Sequence, residues 1–173
     1  MEALSAVEST CDVKIEHYHM DDFYKTFPQF KNGFLQWSSK KHRKHEKTIA
    51  KKLSGMDGVL LAENHFGSVL GMLIYSSESV DADFFERIKS FKDKIKVLCI
   101  ENLISNHNYL QKQIFLSLLD GASVLARRLD YMICKLPDIN EEHMFFIKKK
   151  YGPQQLQTKQ PIKNLRCYID FRQ

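Results

Sequence analysis

The stretch IKVLCIENLISNHNYLQKQIFLSLLDGASVLARRLDYMICKL, residues 95–136, constrains the fold more than any other. It opens on a near-continuous apolar run, IKVLCIENLIS, the mark of a strand buried on both faces. Ile114, Leu118, Ala122, Leu125 and Leu129 then recur at steps of three and four, which predicts one long amphipathic helix. LDYMICKL reads as a second buried strand. A strand, a crossover helix and another strand form a right-handed parallel unit. The turn that opens the helix, Asn106 to Gln113, holds no glycine.

Ahead of this unit, GVLLAE and SVLGMLIY are rich in Val, Leu and Ile, and NHFG between them supplies turn residues, so a hairpin is expected. DVKIEHYHM alternates, with Val13, Ile15 and His17 on one face and Lys14 and Glu16 on the other, which predicts a first strand. DDFYKTFPQF follows as a short helix capped by Asp21 or Asp22 and interrupted at Pro28. ESVDADFFERIKSFKDK reads as a polar segment with a short helical pattern. Beyond the unit, DINEEHMFFIKKKYG predicts a helix capped by Asp138 or Asn140. Glu141 and Glu142 sit in its first turn, three lysines sit in its last, and Gly152 stops it. LRCYIDFRQ closes the chain as a last strand, whose exposed edge would allow a sheet-mediated homodimer. The expected class is α/β (α+β), with a mixed antiparallel and parallel sheet flanked by helices. Residues 1–11 are expected to be a flexible leader and 12–173 a single domain.

A chain of 173 residues is long enough for one real core. No apolar run approaches the roughly 20 residues that a membrane helix needs. MEALSAVESTCDVK lacks a basic start followed by an apolar core, so no signal peptide is expected and the predicted location is cytoplasmic. Cys11, Cys99, Cys134 and Cys167 are far apart, and three of them sit in apolar strand-like runs; they read as reduced core residues. No CxxC or HxxxH-type spacing occurs, so no metal site is expected. The net charge of +5 permits an anionic partner without requiring one. Most of that bias lies in KKHRKHEKTIAKK, residues 40–52, with seven Lys/Arg and one Glu. It is either a solvated helix face or a patch for nucleic acid or an acidic protein. Phe34 and Trp37 just before it are core anchors or base-stacking residues.

The element order and four local stretches resemble the GCN5-related N-acetyltransferase (GNAT) superfamily, from about residue 12 to the C-terminus. VKIEHYHMDDF is similar to its first strand and helix, and VLLAENHFGSVLGMLIY to its second and third strands. Residues 97–136 are similar to its fourth strand, cofactor helix and fifth strand, and NEEHMFFIKKKYG to its last helix. FPQFKNGFLQWSSKKHRKHEKTIAKKL is similar to the toxin branch of the family, which acetylates aminoacyl-tRNA.

The resemblance implies a single GNAT-like acyltransferase domain. An amine of a small molecule, a protein or an aminoacyl-tRNA attacks the thioester of acetyl-CoA. Pantetheine pairs with the fourth strand, here Leu103, Ile104 and Ser105. Pyrophosphate rests on N–H groups at the helix start, here Gln111, Lys112, Gln113, Ile114 and Phe115, where the helix end is partly positive. Asn140 is a helix cap first and a ligand contact second. A carboxylate or water chain takes the amine proton, and a Tyr often protonates the leaving thiolate.

Several residues depart from the family pattern. Its phosphate turn, Gln/Arg-x-x-Gly-x-Gly/Ala, falls on Leu110-Gln111-Lys112-Gln113-Ile114-Phe115, without either glycine. Glycine lets phosphate approach the backbone closely. Gln113 and Phe115 are expected to put side chains there instead. Glu101, inside an apolar run, is either a general base or a solvated or paired carboxylate near the sheet split. Lys148 stands where the family's Tyr is found, and Pro153 replaces the Phe after Gly152. Tyr151 is then a packing residue or a displaced acid. His143 is either acid–base equipment or polar surface. Two functions follow. One is acyl transfer from acyl-CoA to an amine. The other is a catalytically inactive GNAT-fold protein that binds a protein or nucleic-acid partner. A different thioester or aminoacyl donor is a variant of the first.

Overall fold

The computed structural model describes residues 13–26, 55–67, 69–86, 93–105, 111–131, 133–136, 141–156 and 167–170. The leader, the basic segment 40–52 with Phe34 and Trp37, the turn Asn106–Leu110 and the caps Asp138 and Asn140 lie outside the described residues. The elements are β1 (Lys14–His19), α1 (Met20–Thr26), β2 (Gly58–Glu63), β3 (Val69–Asp81), β4 (Lys94–Ser105), α2 (Gln111–Arg128), β5 (Ile133–Leu136), α3 (Glu141–Tyr151), β6 (Gln155–Leu156) and β7 (Cys167–Asp170). Short 3-10 turns follow β3 at Ala82–Phe84 and α3 at Gly152–Gln154.

Hydrogen-bonded strands run in the order β1-β2-β3-β4-β5-β7-β6. β1 and β2 are antiparallel, β4 and β5 parallel, and β7 is antiparallel to both β5 and β6. The sheet is mixed, as the order of sequence signals predicts. β2 and β3 are neighbours joined by residues 64–68, a connection too short for a parallel crossover. At its turn the Gly67 N–H donates to the Asn64 carbonyl and the Phe66 N–H to Asn64 Oδ1, both at 3.0 Å. Gly67 takes φ of +78°, a conformation that costs glycine little.

The chain divides into two compact units, Met1–Leu73 with Leu103–Gly121, and Ile74–Asn102 with Ala122–Gln173. In the first unit, β2 is buried from Val59 to Ala62. Lys14 on β1 pairs in register with Glu63 and forms an ion pair with Glu16, its neighbour on the same face. Both carboxylates raise the Lys14 ammonium above its usual pKa, the Glu16 hydrogen bond most of all. α1 begins at Met20, whose N–H donates to the Asp57 carbonyl at 3.1 Å. Asp21 and Asp22 therefore lie inside the first turn, where they favour the helix dipole, and neither is the cap. Ile114, Phe115, Leu118 and Leu119 of α2 are buried, a stripe two residues wide. Gly121 lets the helix approach β1: a Cβ there would lie 2.8 Å from Ile15 Cγ2.

In the second unit, Phe85, Ile95, Val97, Cys99 and Tyr168 form a core cluster. The Phe84, Phe85 and Tyr168 rings meet edge to face, with centroids 5.1–5.8 Å apart. Cys99 is buried and in no disulfide, and its thiol donates to the Val97 carbonyl at 3.9 Å. The segment 78–81, expected in a polar helical stretch, continues β3 instead. From Ser76 to Asp81 its residues alternate between half-buried and exposed, and Val80 packs against the cluster. The polar letters hid a period of two.

Two other expectations change. Leu129 and Asp130 do not begin β5; they close α2. The Tyr131 N–H donates to the Ala126 carbonyl at 2.7 Å and the Asp130 N–H to the Arg127 carbonyl at 3.5 Å. Asp130 has φ of +61°. This is a Schellman cap with Asp where Gly is usual. α3 does end before Gly152, as expected; Gly152 opens a 3-10 turn with Pro153, which lacks the N–H needed to extend a helix. The C-terminal strand is no edge: β7 lies between β5 and β6, and the two-residue β6 takes the outer place. That removes the basis for dimerisation through β7.

Candidate functional site

β4 is the element on which the candidate site rests. It has 12 residues, yet only Val97, Leu98 and Cys99 register with β5, opposite Ile133, Cys134 and Lys135. Leu136, the last described residue of β5, pairs with Cys167 of β7. Beyond Cys99, then, β4 runs on from Ile100 to Ser105 without a β5 partner among the described residues. Among the described residues the register of the parallel pair ends at Cys99, six residues before the end of β4.

In the first unit, Leu103, Ile104 and Ser105 form the last residues of β4 and α2 starts at Gln111. Leu103 is half-buried; the side chains of Ile104, Ser105 and Gln111 lie outside the described residues. Lys112 and Gln113 are exposed in the first turn, which contains no acidic residue. Ile114 and Phe115 are buried, Phe115 to 3% exposure. The expectation that Phe115 places its ring where phosphate would lie is corrected here, since the ring belongs to the core. Only Gln113 remains as an added side chain at that position. Asn140 precedes α3 outside the described residues, as does the side chain of His143.

In the second unit, Glu101 of β4 is exposed although its sequence surroundings are apolar. Ile95, Val97 and Cys99 precede it at steps of two and are buried. Glu101 ends that row as a solvated carboxylate. Ser76 of neighbouring β3 donates its hydroxyl to Glu101 Oε1 at 2.8 Å. Ser76 was not legible as a site residue; the signal was the unbroken alternation in IYSSES, which carries β3 past its apolar part. Tyr151 is buried at the end of α3, one turn after buried Ile147, with Lys150 Nζ 5.6 Å from its ring centre. Lys148 is exposed. Among the described residues no three His, Cys, Asp or Glu side chains gather as metal ligands would.

No protein-family model and no curated protein matches the sequence. Solved structures do match in fold. AtaT complexed with acetyl-methionyl-tRNAfMet superposes with a TM-score of 0.56 at 15% identity, covering 92% of this chain and 95% of that one. The protein has a GNAT-like fold. An IAA acetyltransferase from Bacillus cereus ATCC 14579 gives 0.50 at 12% identity over 92% and 99% of the two chains. A mutant AtaT toxin bound to the C-terminus of the antitoxin AtaR and acetyl-CoA gives 0.50 at 13% identity over 93% and 94%. At these identities the likeness is one of GNAT-like architecture.

Proposed function

We propose that this chain is an N-acyltransferase that moves an acetyl group from acetyl-CoA to a primary amine. The observation that carries the proposal is that β4 runs on to Ser105, beyond its described register with β5, and is followed by the helix that starts at Gln111. The residues fit the cofactor. Leu103, Ile104 and Ser105 are the residues whose backbone would pair with pantetheine. The N–H groups at Gln111 to Phe115 offer the positive end of α2 to pyrophosphate, with exposed Lys112 beside it and no acid in the turn. Acetyl-CoA supplies the acetyl group as a thioester, activated toward amines. Glu101, exposed on β4, takes the amine proton on its carboxylate. Tyr151 is assigned to packing, because it is buried.

The acceptor class that the likeness supports is aminoacyl-tRNA. AtaT is seen with an acetylated methionyl-tRNA, and residues 27–53 are similar to the toxin branch. The basic segment 40–52 is the place where such an acceptor, or another acidic partner, would be held.

Calorimetric titration of acetyl-CoA, with CoA as control, tests the reading. Saturable binding of both is expected. Absence of heat together with absence of thermal stabilisation would sink it. The fold would then serve binding alone, a reading that Gln113 in place of the first turn glycine favours. Only where acetyl-CoA does not bind would salt-sensitive RNA binding, abolished by charge reversal within 40–52, point to that alternative.

A further inference from the structure

We infer that Ser76 is a positioning residue that aims the Glu101 carboxylate, an inference that rests on the acyl-transfer reading above. Glu101 reaches solvent from a strand, with three rotatable side-chain bonds and no burial to hold it. A proton acceptor that wanders spends little time where an amine can meet it. Ser76 supplies the missing restraint. Its hydroxyl donates to Oε1 at 2.8 Å across the β3–β4 boundary. The bond engages one carboxylate oxygen and leaves Oε2 to accept the proton. The donor itself is well fixed. Ser76 directly follows Tyr75, which is buried to 1% exposure, in a continuous strand. A hydroxyl on a short side chain has few positions from which to donate, so it defines where Oε1 sits.

The site thus draws on two neighbouring strands. β4 provides the base, and the polar continuation of β3 provides its orientation. This also gives the SSES segment a purpose beyond sheet extension. The step balances: the amine nitrogen bonds to the acetyl carbon and loses a proton to Oε2, while the thioester C–S bond breaks and its electron pair leaves with the sulfur as the CoA thiolate.

The experiment compares full-length wild type, Ser76→Ala, Ser76→Thr and Glu101→Gln. Acetyl-CoA binding is measured by calorimetry. Release of CoA is followed with water, spermidine, methionine amide and methionyl-tRNA as acceptors. Circular dichroism checks that each variant is folded. Glu101→Gln is expected to lower kcat by about 10²–10⁴-fold. Ser76→Ala is expected to lower kcat roughly tenfold with KM for acetyl-CoA unchanged, because the hydrogen bond orients the base and touches no cofactor. Ser76→Thr, which keeps a hydroxyl, is expected to recover most of the loss. Equal kcat in wild type and Ser76→Ala, with Glu101→Gln impaired, would overturn the role of Ser76 and leave the acyl-transfer reading standing. Acetyl-CoA binding without CoA release to any acceptor, or unimpaired Glu101→Gln, removes Glu101 as the base and Ser76 with it. Failure of wild type to bind acetyl-CoA overturns the underlying reading itself.

Discussion

Asp130 shows how one residue can hold a conformation that its side chain does not favour. Its φ of +61° lies in the left-handed region, where a Cβ crowds the following carbonyl. Two backbone hydrogen bonds, from Tyr131 to Ala126 and from Asp130 to Arg127, keep it there. Asp tolerates this region better than most residues, and a β-branched side chain tolerates it poorly. Asp130→Val is therefore expected to cost about 1–2 kcal/mol of stability, measured as a fall in the urea midpoint at unchanged slope. Phe115 teaches a different lesson at the same scale. The family's phosphate-turn pattern points it toward a ligand, yet two helical steps turn it about 200° from exposed Gln113 and into the core. Phe115→Ala is expected to behave as a core deletion, losing about 3–5 kcal/mol, with no special effect on CoA beyond that loss.

α2 and β4 are the elements that decide the architecture. Their periodicities were legible because each is long and strongly apolar on the buried side: Ile114, Leu118, Ala122 and Leu125 are all buried as the spacing predicts. The contact of α2 with β1 depends on Gly121. A helix interior normally gains up to about 1 kcal/mol when Gly becomes Ala. Here the new methyl would meet Ile15 Cγ2 at 2.8 Å, and the branched Ile side chain cannot swing away. Overpacking of this kind costs about 1–3 kcal/mol and outweighs the propensity gain. Gly121→Ala is expected to lower the melting temperature. Its penalty should shrink in an Ile15→Ala background, a coupling that a double-mutant cycle reads directly. β3 was only half legible. Its apolar part, through Tyr75, announced a strand; its polar part, Ser76 to Asp81, announced nothing until the alternation was seen against a packed neighbour.

For the molecule as a whole, the acetyl-CoA reading has a thermodynamic consequence. A ligand that binds only the folded chain at about 100 times its Kd adds about 2.7 kcal/mol. For a chain of this size each kcal/mol raises the melting temperature by about 2–4 °C. A thermal shift of about 5–10 °C is therefore expected with saturating acetyl-CoA. No shift at millimolar ligand would speak for the binding-only alternative. Among the described residues, no helix is long and apolar enough to cross a membrane.

What the sequence determined by itself is the set of elements and their order. Period and burial are local properties, written in residues a few positions apart: the step of three and four in α2, the unbroken apolar run of β4, the turn chemistry of Asn64 to Gly67. The mixed sheet followed from those, since a five-residue connection forces β2 and β3 antiparallel and an 18-residue helix permits β4 and β5 to run parallel. Tertiary structure alone decided which residues of β4 register with β5, that β7 lies inside the sheet, that Phe115 faces inward and that Ser76 reaches Glu101. Each of these depends on which strands become neighbours. Ser76 and Glu101 are separated by 25 positions, and no local pattern can specify a hydrogen bond between them.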